Sequence, residues 1–175
     1  MIAGDIFKQL ALFSGFTASQ LALLKPLFTP YECFAGTVLF NQGDLADCLY
    51  VLVRGEVATH FKPDDSPPIP IARIQPTGVV GLSAAIGRRC YTSTAVCITD
   101  VCMLRLRERD LQSFAERYPE IASQFIQQIA ASISKRLPGA QAQVYALLKN
   151  GLRNSSQTKG EIDINEQPKR TRSSH

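Results

Sequence analysis

The chain has 175 residues, 45% of them apolar, enough for one domain with a real core followed by a tail. Its net charge is +4, and part of that excess lies in a C-terminal cluster of Lys169, Arg170 and Arg172, so no basic stripe of the kind a nucleic-acid face needs runs through the folded part. The five cysteines are odd in number and form no C-x-x-C pair, the N-terminus lacks a signal peptide's basic start, and no apolar stretch reaches membrane-spanning length. These features predict a reduced, cytoplasmic protein.

From Asp5 to about residue 27 the apolar positions Ile6, Leu10 and Phe13, then Leu21, Leu24 and Phe28, recur at helical spacing. Ser14-Gly15 breaks the run, and Thr17 is the expected N-cap of the second helix. From Tyr31 to Arg107 the pattern changes to short strands: TVLF, LYVLV, VATHF, IARI, AVCI and MLRL, with turns between them. Closely spaced strands of this kind predict an antiparallel sandwich or barrel. The PDDSPPIP stretch at 63–70 reads as a surface hairpin loop, because prolines are excluded from a sheet interior.

Helix returns after residue 107. Leu111 and Phe114 make a short amphipathic turn pair that ends before Pro119. Ile121, Phe125, Ile129 and Ile133 then step by four beside Ala122, Ile126 and Ala130, with Leu137 extending the stripe until Pro138-Gly139 stops it. The expected organisation is therefore N-terminal helices at 1–30, a barrel at 31–107, and C-terminal helices of the same domain at 108–137. An extra helix at 138–152 and a disordered tail at 153–175 complete it.

No nucleophile elbow, metal-spaced Cys/His cluster, P-loop or dinucleotide glycine pattern occurs, and the only histidines are His60 and His175. Asp64 and Asp65 are paired acids in a proline-rich loop and read as solvated. The expectation is a protein that is not an enzyme, with no metal and no cofactor.

The stretch 34–57, FAGTVLFNQGDLADCLYVLVRGEV, carries the most information. Gly36 starts a turn, Gly43-Asp44 makes a second, and an apolar run from Leu49 to Val53 leads to Gly55, a left-handed hairpin position. This pattern resembles the cyclic nucleotide-binding domain of catabolite-activator-type regulators, protein kinase A regulatory subunits and cyclic-nucleotide-gated channels. The matching features are Gly36, Gly43, Asp44, Ala46, Gly55 and the run Leu49-Tyr50-Val51-Leu52. The LFSGF turn and the helices around RYPEI look similar as well, and the resemblance covers roughly residues 7 to 137.

The resemblance implies a mainly β, α+β fold: an eight-stranded antiparallel jelly-roll barrel flanked by N-terminal and C-terminal helices. It also implies a phosphate-binding cassette at 80–97, VGLSAAIGRRCYTSTAVC. In the family a short helix offers backbone N–H groups to the cyclic phosphate, and Val80, Gly81, Leu82, Ser83 and Ala84 would supply it here. A glutamate after the glycine takes the ribose hydroxyl; that position holds Leu82. An arginine pairs with the phosphate; that position falls on Tyr91, followed by Thr92 and Ser93. Losing a buried charge pair costs about 2–5 kcal/mol, and losing a charge-assisted hydrogen bond costs about 1.5–3 kcal/mol. Together they predict a weakening of about a thousandfold for a cyclic mononucleotide.

Arg88 and Arg89 lie just before Tyr91, and either one reaching in would replace the missing arginine; the alternative is that both are solvated loop residues. Leu82 either plugs the pocket or tolerates a different ligand, such as a cyclic dinucleotide. Family transcription factors carry a helix-turn-helix domain after this point, for which the residues after 137 are too few and too polar. The expected role is thus regulatory signalling with a degenerate ligand pocket. It would act through a protein partner or a homodimer formed by the C-terminal helices, along the Ile126/Ile133 side, with no DNA binding by this chain alone and no membrane.

Overall fold

The computed structural model describes residues 6–134. Within them run α1 (Ile6–Gln9), α2 (Ala18–Leu24) and eight strands: β1 (Phe28–Cys33), β2 (Val38–Phe40), β3 (Cys48–Arg54), β4 (Val57–Phe61), β5 (Ile69–Ile74), β6 (Val79–Val80), β7 (Thr94–Cys97) and β8 (Val101–Arg107). The four-residue α3 (Leu82–Ala85) separates β6 from β7, and α4 (Glu108–Arg117) and α5 (Pro119–Ser134) follow the barrel. The strands form two antiparallel four-stranded sheets, ordered β1-β8-β3-β6 and β2-β7-β4-β5. This is the expected mainly β jelly roll with helices at both ends.

The unbroken apolar runs of β3 and β8 have a simple cause. Leu49 and Val51, with Leu104 and Leu106 opposite them, face outward into a cluster built with the helices. Cys48, Tyr50, Leu52 and Met103 alternate onto the other face and fill the barrel interior. A strand covered on both faces needs apolar residues at every position.

The helices are fixed to that outer face by aromatic packing. Phe13 and Phe28 meet edge-on at 5.3 Å between ring centroids, and both reach Phe125 of α5, at 6.1 and 5.8 Å. Gln124 and Gln128 donate side-chain hydrogen bonds to the Gly15 and Ser14 carbonyls, at 3.1 and 3.2 Å. Thr17 caps α2 through a capping box with Gln20.

Four sequence readings need correction. Phe28 does not continue the helical repeat: Lys25–Leu27 tightens into a 3-10 turn around Pro26, and the chain enters β1 at Phe28, ahead of the expected boundary at 31. The hairpin loop ends before Ile69, because Ile69 and Pro70 already belong to β5. Pro70 is tolerated there since β5 is an edge strand, as β1 is for Pro30. Leu111 and Phe114 belong to a ten-residue helix rather than a single turn pair. Ile126 is buried in the chain's own core with Phe125, Ile129 and Ala130, so Ile126 itself is not free for a dimer seam, while Ile121 and Ile133 of the same stripe are half-buried. Pro138-Gly139, the segment 138–152 and the tail lie outside the described residues.

Candidate ligand cleft

The cassette begins where β6 ends. Gly81 adopts φ +84, the left-handed region, and a Cβ there would stand 2.8 Å from the Cys48 carbonyl oxygen and 3.3 Å from Tyr91 Cε1. Only glycine fits this turn. α3 follows for one turn, with the Ala84 N–H donating to the Gly81 carbonyl at 3.1 Å and the Arg88 N–H to the Ser83 carbonyl at 3.0 Å.

The loop from Gly87 to Ser93 is zipped to the turn around Asp44. The Tyr91 N–H donates to the Asp44 carbonyl at 2.9 Å, the Gly43 N–H to the Tyr91 carbonyl at 2.9 Å, and the Ala46 N–H to the Arg89 carbonyl at 2.9 Å. A β-bridge joins Leu45 and Cys90 between them. Asp44 itself closes its own turn, its Oδ2 accepting the Asn41 N–H at 2.8 Å. Gly43 (φ +92), like Gly36 (φ +83) and Gly55 (φ +93), sits in the left-handed region its turn requires.

This zipper drives Tyr91 inward. Its ring is 4% exposed and lies flat on Phe40, with centroids 3.6 Å apart and planes 12° from parallel. Its hydroxyl donates to the Cys48 carbonyl at 2.5 Å and accepts the Cys48 N–H at 3.1 Å. Burial pushes the phenol pKa upward, so the group is a neutral, fully employed hydroxyl. Burial raises the Tyr50 phenol as well.

Beside this pair opens a cleft of about 330 Å³. β2 supplies Phe40, β5 supplies Ile71, Ala72 and Ile74, and the end of α5 supplies Ser132 and Ile133. From the cassette, Gly81, Leu82, Ser83, Tyr91, Thr92 and Ser93 line it. Val80 and Ala84 do not: both are 1% exposed and pack into the barrel interior, while Val79 takes the lining position. Arg88 and Arg89 are exposed, and neither lines the cleft. Among the described residues no lining residue carries a charge. The Ser83 hydroxyl, buried, stands 3.5 Å from that of Thr92.

Of the residues the sequence singles out, Gly81, Leu82, Ser83, Tyr91, Thr92 and Ser93 line this cleft, and Phe40, Ile71, Ile74, Ser132 and Ile133 join them from outside the cassette. They come from three elements that only barrel closure and helix docking bring together. Phe40 carried a partial signal, as the last strand residue before the Gly43 turn. Among the described residues no group of three His, Cys, Asp or Glu side chains is placed to hold a metal, and no helix is long and apolar enough to cross a membrane.

Residues 32–118 match the model of the cyclic nucleotide-binding domain. The chain is 24% identical over 131 residues, 75% of its length, to a CRP-like cAMP-activated global transcriptional regulator of Mycobacterium tuberculosis, and spans 58% of that protein. Its fold is similar to the N-terminal domain of a transcriptional regulator from Streptomyces coelicolor, at TM-score 0.61 and 26% identity, covering 78% of this chain and 97% of that one. It is also similar in fold to the c-di-GMP responsive global regulator CLP of Xanthomonas campestris, at TM-score 0.60 and 16% identity, covering 87% and 74% of the two chains.

Proposed function

The chain belongs to the cyclic nucleotide-binding domain family, and we propose that it is a non-catalytic regulatory module whose cleft does not take a cyclic mononucleotide in the family's usual way. The observation that carries this is Tyr91. Where the family's arginine is expected stands a phenol whose ring is stacked on Phe40 and whose hydroxyl is spent on the Cys48 backbone. A phosphate entering beside it meets no cation among the described residues, and an anion desolvated without a partner costs several kcal/mol. Leu82, at the expected glutamate position, offers no acceptor to a ribose hydroxyl.

The regulatory role is supported by the likeness to a transcriptional regulator and by the placement of α5. That helix contributes Ser132 and Ile133 to the cleft and Phe125 and Ile129 to the core, so a change in the cleft is transmitted to it directly. The output passes through the C-terminal helices to a protein partner or a second copy of the chain.

Isothermal titration calorimetry of the folded protein against cyclic AMP, cyclic GMP and cyclic di-GMP tests the reading. The expected result is no binding of either mononucleotide in the micromolar range. Low-micromolar binding of cyclic AMP or cyclic GMP overturns it, and Arg88→Ala and Arg89→Ala would then identify a substitute clamp. Binding of cyclic di-GMP alone leaves the mononucleotide conclusion standing and makes the module a sensor of that dinucleotide.

A further inference from the structure

Resting on the reading above, we propose that the cleft is a binding site for a small, uncharged, mainly apolar molecule that carries one hydrogen-bonding group. The volume of about 330 Å³ lies at the lower end of the range for small-molecule sites, about 300–1,000 Å³. The chemistry of the wall selects the class of occupant. Phe40, Ile74 and Val79 form a buried apolar floor, and Leu82, Ile71 and Ile133 continue it toward the mouth. Among the described residues no charged side chain lines the cleft, so a phosphate, carboxylate or ammonium would lose its hydration without a partner there, whereas an apolar body gains about 25 cal/mol for each Å² it buries.

The cassette supplies a polar corner of Ser83, Thr92 and Ser93, while Thr59 of β4 and Ser132 of α5 add hydroxyl residues elsewhere on the lining; the Ser83 hydroxyl is buried 3.5 Å from that of Thr92. A hydroxyl has one donor and two acceptor sites, so this corner holds capacity for one neutral carbonyl, hydroxyl or amine of a guest. Tyr91 adds ring surface and no polarity, since its hydroxyl is turned to Cys48. Ile71, 57% exposed at the mouth, is an apolar residue that an occupant would cover.

The test uses the full chain and the uncharged probe N-phenyl-1-naphthylamine, whose fluorescence rises in apolar surroundings, with cyclic AMP titrated in parallel. The expected result is saturable one-to-one enhancement at micromolar probe, weakened about tenfold or more in Ser132→Phe, which fills the mouth, and in Leu82→Glu, which sets a carboxylate in the wall. Urea midpoints of both variants confirm that they are folded; Ala72→Phe, narrowing the mouth from β5, replaces any that is not. Enhancement that does not saturate, or that the folded variants leave unchanged, overturns the proposal. Silence toward both probe and cyclic AMP overturns this inference and leaves the proposed function intact. Micromolar binding of cyclic AMP overturns the proposed function and this inference with it.

Discussion

The corner at Gly55 and the cassette at Tyr91 are both built around a left-handed glycine, yet they constrain their sequences in opposite ways. At Gly55 the backbone leaves no room: a Cβ would come 2.4 Å from the Asp100 carbonyl oxygen and 2.9 Å from Val101 Cγ1. Around it the Glu56 N–H donates to Thr99 Oγ1 at 3.0 Å, and the Ile98 N–H donates to the Glu56 carbonyl at 2.9 Å. That crowding comes from the corner itself and is independent of what the cleft holds. At the cassette only Gly81 is fixed by the backbone, while Leu82 and Tyr91 answer to what occupies the cleft. Backbone-enforced residues therefore report the fold, and cleft-facing residues report the ligand.

The largest expected effect breaks the first region. Gly55→Ala combines a left-handed φ, worth about 1–2 kcal/mol, with overpacking of about 1–3 kcal/mol. We expect a loss of about 2–5 kcal/mol in urea denaturation. Gly36→Ala has a similar φ of +83 but meets nothing within 4 Å, and should lose only the first part. Equal losses at the two sites would mean that conformation alone, not crowding, demands glycine at the corner.

Tyr91→Phe probes the second region. The substitution keeps the stack on Phe40 and strands the buried Cys48 N–H and carbonyl, so about 1–3 kcal/mol of stability should disappear from the urea midpoint. A neutral result would show that water reaches Cys48 and that Tyr91 is less of a plug than its geometry indicates.

The same division explains what the sequence could convey. Gly36, Gly43 and Gly55 were legible because a turn with positive φ leaves a residue-type signature, and β3 was legible because burial on both faces leaves an unbroken apolar run. The start of β1 at Phe28 was hidden, since Phe28 also fits a helical repeat and only the turn at Pro26 decides. Pro70 reads as loop because a sequence does not state which strand lies at a sheet edge. The cassette itself could be located, but Phe40, Ile71, Ile74, Ser132 and Ile133 join it across chain separations that no local period encodes. That Val79 rather than Val80 lines the cleft is a matter of strand facing, which a two-residue strand does not reveal.

Alkaline titration compares the regions in one experiment. Burial pushes the Cys97 thiol up from 9.0 to about 11, and burial also raises the phenols of Tyr91 and Tyr50. Between about 9 and 11 the unfolded chain gives up the Cys97 proton first, so it binds fewer protons than the native state and stability falls as pH rises. Stability should be flat in this respect below pH 9, and by pH 10 the thiol alone should cost about 1 kcal/mol. Cys97→Ala should make the decline between 9 and 10 less steep, leaving the part due to the Cys48 and Cys102 thiols, which burial also raises, and a later decline from the tyrosines. A profile unchanged by that substitution would place the early titration elsewhere than beside the Gly36 turn, whose N–H bonds the Cys97 carbonyl at 2.7 Å.

The smallest expected effect asks whether the helical end can be weakened without touching the cleft. Thr17 accepts the Gln20 N–H at 3.2 Å while the Gln20 side chain accepts the Thr17 N–H at 2.9 Å, closing the first turn of α2. Thr17→Ala removes one half of that exchange and should cost about 1 kcal/mol. α2 buries Leu21 against the outer face of the barrel and Leu24 against Phe114 and Ala122, and none of these lines the cleft. Probe fluorescence should therefore saturate at the same concentration in the variant as in the parent. If affinity shifts along with stability, the end of α5 carries strain from the N-terminal helices to Ser132 and Ile133, and the cleft is coupled to the face that anchors that helix.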